Sequence, residues 1–388
     1  MDVLAVVNFV LSVIVGLLLL VVLVVVHELG HAIAARRNGV VVEEFGIGFP
    51  PKVWAKKLKN GVLFKINALP LGGYVKMQGE SDDASKPGDY GAANLWVKTK
   101  ILLAGVLVNW VVAIIIFTGL ALTGLPKVVD NQFTIKSDTT EVRRPVAVVQ
   151  VGANTPAANA QLKKGDEIVR FAGQQVSEPK NLSDLTKQYR GKSVEIIYKR
   201  GNVEKTARVT LRADNDSGSG YLGVSADQRT TYRSTWSAPI VGVALTGQLT
   251  KVTLQGLGDT LAKFAVGLVE KVNPSSSSQK AADQKLGEVS SGVAGPLAIL
   301  GILFPSAREA GISSLLFMTA LISLALAIMN TLPIPALDGG RWFVTALFKV
   351  LKKPLTKDRE EKIQGTGFMV LMGLIVLVTI GDVAKLFN

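Results

Sequence analysis

His27-Glu28-Leu29-Gly30-His31 is a HExxH sequence, and it holds both histidines of the 388-residue chain. On a helix, positions i and i+4 share one face, so the two imidazoles can reach a single metal ion. Zinc accepts neutral imidazole nitrogen and, in catalytic sites, keeps one position for water. Glu28 projects from a neighbouring direction and can take the proton of that water. Short motifs of this kind also arise by chance, here as a polar helix end carrying interfacial histidines. The setting argues for chemistry instead. The motif closes a nearly unbroken apolar run from about Val3 to Val26, where ionisable groups are costly and mark function.

A third protein ligand must come from elsewhere. With no cysteine in the chain, thiolate zinc sites, cysteine nucleophiles and disulfides are excluded. Both histidines are used, so the three-histidine arrangement of metzincins is excluded too, and a carboxylate remains by elimination. Asp338 and Asp382 are the acidic residues that lie beside late apolar segments.

The elements that must position these groups are membrane spans. Apolar stretches run from about Val3 to Val26, Ile101 to Leu125, Ile312 to Leu332 and Phe368 to Ile380. The first is long enough to cross the hydrocarbon core. It has Asp2 before it and a polar motif directly after it, which is unlike a cleaved signal peptide. Val293–Phe304 is also apolar, but Gly295-Pro296 and Pro305 favour a short or re-entrant element over a fifth span. The formal net charge of +13 fits cationic loops against an anionic membrane surface. Lys and Arg gather between the first two spans, from Arg36 to Lys100, and between the last two, from Arg341 to Lys362. Both loops are then cytoplasmic, and the termini and the long central region lie outside. The third span descends to the same side as the end of the first, so Asp338 arrives at the depth of His27 and His31, whereas Asp382 lies at the opposite face. The plain alternative for Asp338 is a turn residue ahead of Gly339-Gly340.

The central region from about Arg144 to Gln228 has short β-patterned pieces, Val146–Val151, Glu167–Phe171, Val194–Tyr198 and Ala207–Leu211, separated by Gly-containing turns. Ile240 to Val272 has helical amphipathic spacing, and the serine-rich Asn273–Gln279 tract reads as a linker.

These residues resemble the site-2 protease family of intramembrane metalloproteases, and most closely its bacterial RseP-like branch. The resemblance rests on the HExxH motif, on Asn330-Thr331-Leu332-Pro333-Ile334-Pro335-Ala336-Leu337-Asp338-Gly339-Gly340, which is similar to the family's NxxPxPxLDGG signature, and on Phe45–Phe49 with Leu69–Met77. It implies that His27, His31 and Asp338 bind Zn2+, that Glu28 is the general base and that Asn330 holds the substrate backbone or oxyanion. A capping role for Asn330 at its frayed helix end stays open beside that. The Phe45–Met77 stretch, with Gly72 and Gly73, looks like the family's membrane-associated β-hairpin, whose edge can pair with an extended substrate. A plain cytoplasmic loop is the alternative. Gly152–Ile168 and Tyr221-Leu222-Gly223-Val224 resemble a PDZ domain, with the second group at its groove edge. In Gly152–Ile168, Gln161 replaces the family's usual glycine, and the RseP-like branch is described with two such domains where this chain offers one.

The expected fold is a polytopic α-helical membrane protein of about four transmembrane helices, with an inserted α+β PDZ-like domain and a membrane-associated β-hairpin. The segments are the first span with HExxH (1–38), the cytoplasmic hairpin loop (39–98), the second span (99–126), a connector (127–143), the PDZ-like domain (144–228), amphipathic helices and a linker (229–290), a short apolar element plus the third span with LDGG (291–340), a basic cytoplasmic loop (341–366) and the fourth span (367–388). The expected activity is zinc-dependent cleavage of single-span membrane proteins, anti-sigma factors or signal-peptide remnants, at a bacterial plasma membrane, with no nucleic-acid partner. A non-catalytic PDZ scaffold is the alternative, against which the intact Glu28 argues. A zinc transporter would need a polar path through several spans, which the sequence does not offer.

Overall fold

The computed structural model describes residues 3–214, 220–272, 276–292 and 295–387. Its chain forms two units, one of Met1–Leu120 with Pro239–Asn388 and one of Ala121–Ala238. The first begins with α1 (Val3–Arg37), a single helix whose nearly unbroken apolar run satisfies its own backbone in lipid. Arg36 and Arg37 in the last turn complement the helix dipole, and Gly39 at φ 81° ends it.

β1 (Val42–Lys57) and β2 (Leu63–Met77) follow as an antiparallel hairpin. The hairpin is folded across itself, because Phe45 pairs with both Phe64 and Val75. Its four pieces lie in the order 52–57, 63–67, 44–49 and 69–77, which leaves the last at an edge. Gly48, at φ 77°, makes the crossing: a Cβ there would meet the Leu69 carbonyl oxygen at 2.4 Å. Val42, Phe45, Val62 and Met77 bury against Ala32 and Ala35 of α1, so the hairpin is fixed to the helix that carries HExxH. α2 (Leu95–Thr123) then provides the second long apolar helix.

The second unit contains two sheets. β3 (Leu125–Pro126) and β4 (Thr140–Arg143) flank β11 (Thr230–Arg233). The larger sheet has the order β10-β5-β6-β8-β9 and is built from β5 (Val146–Val151), β6 (Glu167–Phe171), β8 (Ser193–Arg200), β9 (Val203–Thr210) and β10 (Val224–Asp227), with β7 (Gln174–Gln175) paired to β6. α3 (Pro156–Asn159) and α4 (Pro179–Gln188) complete it. Val146, Val148, Ile168, Phe171, Ile196 and Leu222 form the centre of its core. This is the expected α+β PDZ-like module, and the first two expected strands have the observed bounds.

Back in the first unit, α5 (Ala238–Val272) and α6 (Ser276–Gly292) are joined by the ion pairs Lys263–Glu288, Lys271–Asp283 and Lys285–Glu270. Part of the expected linker is therefore helix from Ser276, and 273–275 lie outside the described residues. α7 (Pro296–Ala298), a π turn at Ile299–Leu303 and α8 (Phe304–Glu309) form the expected short apolar element. α9 (Ile312–Thr331), α10 (Asp338–Val350) and α11 (Lys357–Phe387) close the chain. Most of the expected basic loop at 341–366 is thus helical, in α10 and in the charged start of α11. Val6–Arg37, Leu95–Thr123, Ile312–Thr331 and Lys357–Val383 are long and apolar enough to cross a membrane, matching the expected four spans.

Candidate metal centre

His27 Nε2, His31 Nε2 and Asp338 Oδ2 converge from α1 and α10, although 307 positions separate His31 from Asp338 in the chain. The two Nε2 atoms are 3.1 Å apart, and they lie 3.1 Å and 3.2 Å from Asp338 Oδ2. Ligands at zinc–nitrogen and zinc–oxygen distances of about 2.0–2.1 Å in a tetrahedron stand about 3.3 Å from one another. The observed triangle therefore has the size of one tetrahedral face, and its donor set of two imidazoles and a carboxylate suits zinc. Asp382 is not part of it. Buried on α11, it instead accepts hydrogen bonds from the backbone of Gly295 and Ala298.

The supports of the two rings come from α2, packed closely on α1. His31 Nδ1 lies 2.8 Å from the Ile101 carbonyl oxygen of α2. A carbonyl only accepts, so that nitrogen carries the proton and Nε2 of the neutral ring presents its lone pair. Gly105 clears the space for both rings: a Cβ there would stand 2.5 Å from His31 Nε2 and 2.7 Å from His27 Cε1. Gly30 lets α1 approach α2, since its Cβ would meet the Ala104 carbonyl oxygen at 2.8 Å. Asn109 of α2 is fully buried, with its amide nitrogen 3.3 Å from His27 Nδ1.

Asp338 is carried by a broken stretch of backbone. Pro333 and Pro335 prevent α9 from continuing, and the chain doubles back so tightly that a Cβ on Gly339 would lie 2.3 Å from the Thr331 carbonyl oxygen. Ala336 adopts φ 78°, a left-handed conformation costly for a side chain, and its N–H donates to Gln364 of α11 at 2.6 Å. Arg341, one turn beyond Asp338, donates to the Glu80 carbonyl oxygen at 2.5 Å and to Glu360 at 3.3 Å, and lies 4.7 Å from the centre of the Tyr90 ring. This guanidinium is therefore part of an internal network and is not the free loop cation that its position after the third span suggests.

Glu28 turns toward the hairpin, with its side chain beside the Gly73–Val75 backbone. A Cβ on Gly73 would be 3.2 Å from Glu28 Cγ, so the glycine brings strand backbone directly against this carboxylate. Gly72 sits at φ 94° beside the Phe49 ring. On the hairpin itself, a hydrogen bond from Lys65 holds the Glu44 carboxyl below its ordinary range. A cavity of about 680 Å³ opens onto Asp338, with Glu43, Lys76, Glu80, Arg341, Glu360 and Gln364 on its walls.

The other residues singled out from sequence lie elsewhere. Asn330 donates its amide to the Leu326 carbonyl oxygen at 3.0 Å, a bond back to the preceding turn within α9. Tyr221, Leu222, Gly223 and Val224 belong to the second unit, where Leu222 is core and Val224 opens β10. Asn109, Gln364 and the Arg341–Glu360–Tyr90 network carry no spacing signal; a lone polar residue in an apolar run was the one available hint for Asn109.

Residues 15–374 match the model of peptidase family M50. A Clostridium perfringens protein is 31% identical over 363 residues, covering 93% of this chain and 95% of its own. The zinc metalloprotease RasP of Shouchella clausii is 26% identical over 450 residues, covering 95% and 97%. The regulator of sigma-W protease RasP of Bacillus subtilis is 26% identical over 461 residues, covering 98% and 100%. The PDZ domain of an SdrC-like protein from Listeria innocua is 30% identical over 21% of this chain and 93% of its own, with a TM-score of 0.20. Supported by a match spanning nearly its whole length, the chain belongs to peptidase family M50, the site-2 proteases.

Proposed function

We propose that this protein is a zinc-dependent endopeptidase that cleaves single-span membrane proteins, such as anti-sigma factors or signal-peptide remnants, at a bacterial plasma membrane with its zinc site toward the cytoplasm. The observation that carries the reading is the triangle of His27, His31 and Asp338 with Glu28 between it and the edge of the hairpin. Zinc held there would supply a Lewis acid for the scissile carbonyl and for the attacking water. Glu28 takes the proton of that water and passes it to the leaving amine nitrogen. The 69–77 edge of the hairpin offers backbone N–H and C=O groups to a substrate unwound into an extended strand, with Gly72 and Gly73 giving close approach. Such unwinding is needed because a helix withholds its peptide groups from attack. The cavity that opens onto Asp338 gives water a polar approach. Asn330 has its side-chain carbonyl oxygen left over from its bond to Leu326, and the Tyr221–Val224 segment serves as the groove edge of a module that screens substrates.

The test is Glu28→Gln in the full chain in lipid, with a panel of one-span peptides. Cleavage is expected to fall by about 10²–10⁴-fold, the usual weight of a general base, while bound zinc stays at one per chain. Unchanged turnover sinks the assignment.

A further inference from the structure

The direction of the Asn109 amide conflicts with the metal site beside it. Its Nδ2 points at His27 Nδ1 from 3.3 Å, while its Oδ1 is buried without a hydrogen-bond partner. An amide N–H can donate only to a bare Nδ1, which would put the proton of a neutral His27 ring on Nε2. Yet His27 Nε2 is the atom that meets His31 Nε2 and Asp338 Oδ2 at 3.1 Å. A ligating imidazole needs its lone pair there and donates its other N–H to an oxygen. Amide oxygen and nitrogen fill the same envelope, so exchanging them requires no movement. The exchange changes the orphan from a carbonyl oxygen to an amide NH2, so hydrogen-bond counting alone does not choose between the two orientations. The convergence of three ligand atoms does choose.

We infer that Asn109 is a positioning residue for the metal: its side-chain carbonyl accepts the Nδ1–H of His27 and so sets the tautomer and ring direction that leave Nε2 free for zinc. His31 has the same arrangement with the Ile101 carbonyl, at 2.8 Å. The two rings are thereby oriented by two oxygens of α2, eight positions apart. Asn109 is itself anchored, since Ser323 of α9 donates its hydroxyl to the Asn109 backbone carbonyl at 2.8 Å. Three spans are thus tied at the level of the ligands.

The inference rests on the zinc reading above, and the test separates the two. The chain contains two histidines, so ¹⁵N-histidine labelling of the full protein in lipid reports only these two rings. In zinc-loaded wild type both rings are expected to carry the proton on Nδ1 and zinc on Nε2. Asn109→Leu should lower zinc affinity by about 10–100-fold, the cost typical of losing a ligand's hydrogen-bond partner, as read by competition with a chelator. It should also shift the Nδ1–H signal of His27 while leaving that of His31, the internal control. Asn109→Asp, which still presents an oxygen, should restore affinity to within a few-fold. Zinc binding as tight in Asn109→Leu as in wild type, or a zinc-loaded wild-type ring with its proton on Nε2, overturns the inference. A wild type that takes up no zinc overturns both readings. The wild-type spectrum decides even where a variant fails to fold.

Discussion

Gly105 has no side chain, and the metal site depends on that. A methyl group at this position would collide with both imidazoles. A helix backbone cannot yield by several tenths of an ångström without moving α2, so the rings would turn instead. Gly105→Ala is expected to weaken zinc binding by about 10–100-fold with little loss of folded protein. Chelator competition alongside the fraction recovered monodisperse from detergent checks both halves of that statement. Single residues were legible where chemistry leaves few choices. His27, Glu28 and His31 are singled out by spacing, and Asp338 is singled out once cysteine and further histidine are exhausted and the span topology sets Asp382 at the opposite face. Asn109 and Gln364 were not legible, because their roles are defined by the atoms they face: a ring nitrogen in one case and the left-handed Ala336 in the other.

Among elements, the capping of α7 and the buried ion pair of the PDZ-like module each give a measurable expectation. Asp382 accepts from Gly295 and Ala298 at 3.2 Å and 3.0 Å, satisfying backbone donors at the start of α7 from a neighbouring span. Asp382→Leu leaves those donors unpaired at a cost of about 1–3 kcal/mol. Hydrogen exchange across 296–304 should accelerate accordingly, whereas Asp382→Asn keeps an acceptor and should change it little. In the second unit, Asp166 is fully buried and accepts from Arg200 at 2.7 Å and 2.8 Å and from the Lys163 backbone at 2.8 Å. Burial pushes its carboxyl up, but the guanidinium and the amide hold it below the ordinary range. A depressed folded-state value means that the contribution is complete above the unfolded value near 3.9 and is lost as pH falls through the folded one. Protection of the β5, β6 and β8 amides in the full chain should therefore be flat from neutral pH down to about 4 and decline below it. Asp166→Asn should lower it at neutral pH by about 2 kcal/mol and remove that decline.

For the whole molecule, the question is which side of the membrane each unit faces. The proposed orientation puts Lys353, between α10 and α11, in the cytoplasm and Ser177, ahead of α4, outside. The natural absence of cysteine makes the test direct. In intact cells, a membrane-impermeant maleimide should label Ser177→Cys and should reach Lys353→Cys only after permeabilisation. Labelling of Lys353→Cys from outside would reverse the assignment and put the zinc site at the opposite face. The positive-inside argument predicts the first outcome despite the burial of Arg341, because Lys349, Lys352, Lys353, Lys357 and Lys362 remain on that loop and its flanks.

The sequence by itself determined four segments long and apolar enough to span a membrane, the HExxH spacing, the proposed third ligand and four strands of the inserted module. Each of these follows from composition, period or charge placement: long apolar runs, i and i+4 spacing, exhaustion of other donors together with the positive-inside topology, and alternation between turn residues. Tertiary structure alone decided that the hairpin folds across itself to press Gly73 and Val75 on Glu28, that Arg341 is internal, and that α2 supplies the oxygen at one ring and the amide at the other. Those features depend on which backbone atoms come within hydrogen-bond reach after the helices pack. Distances of that kind are set by contacts between residues far apart in the chain, and no local pattern encodes them.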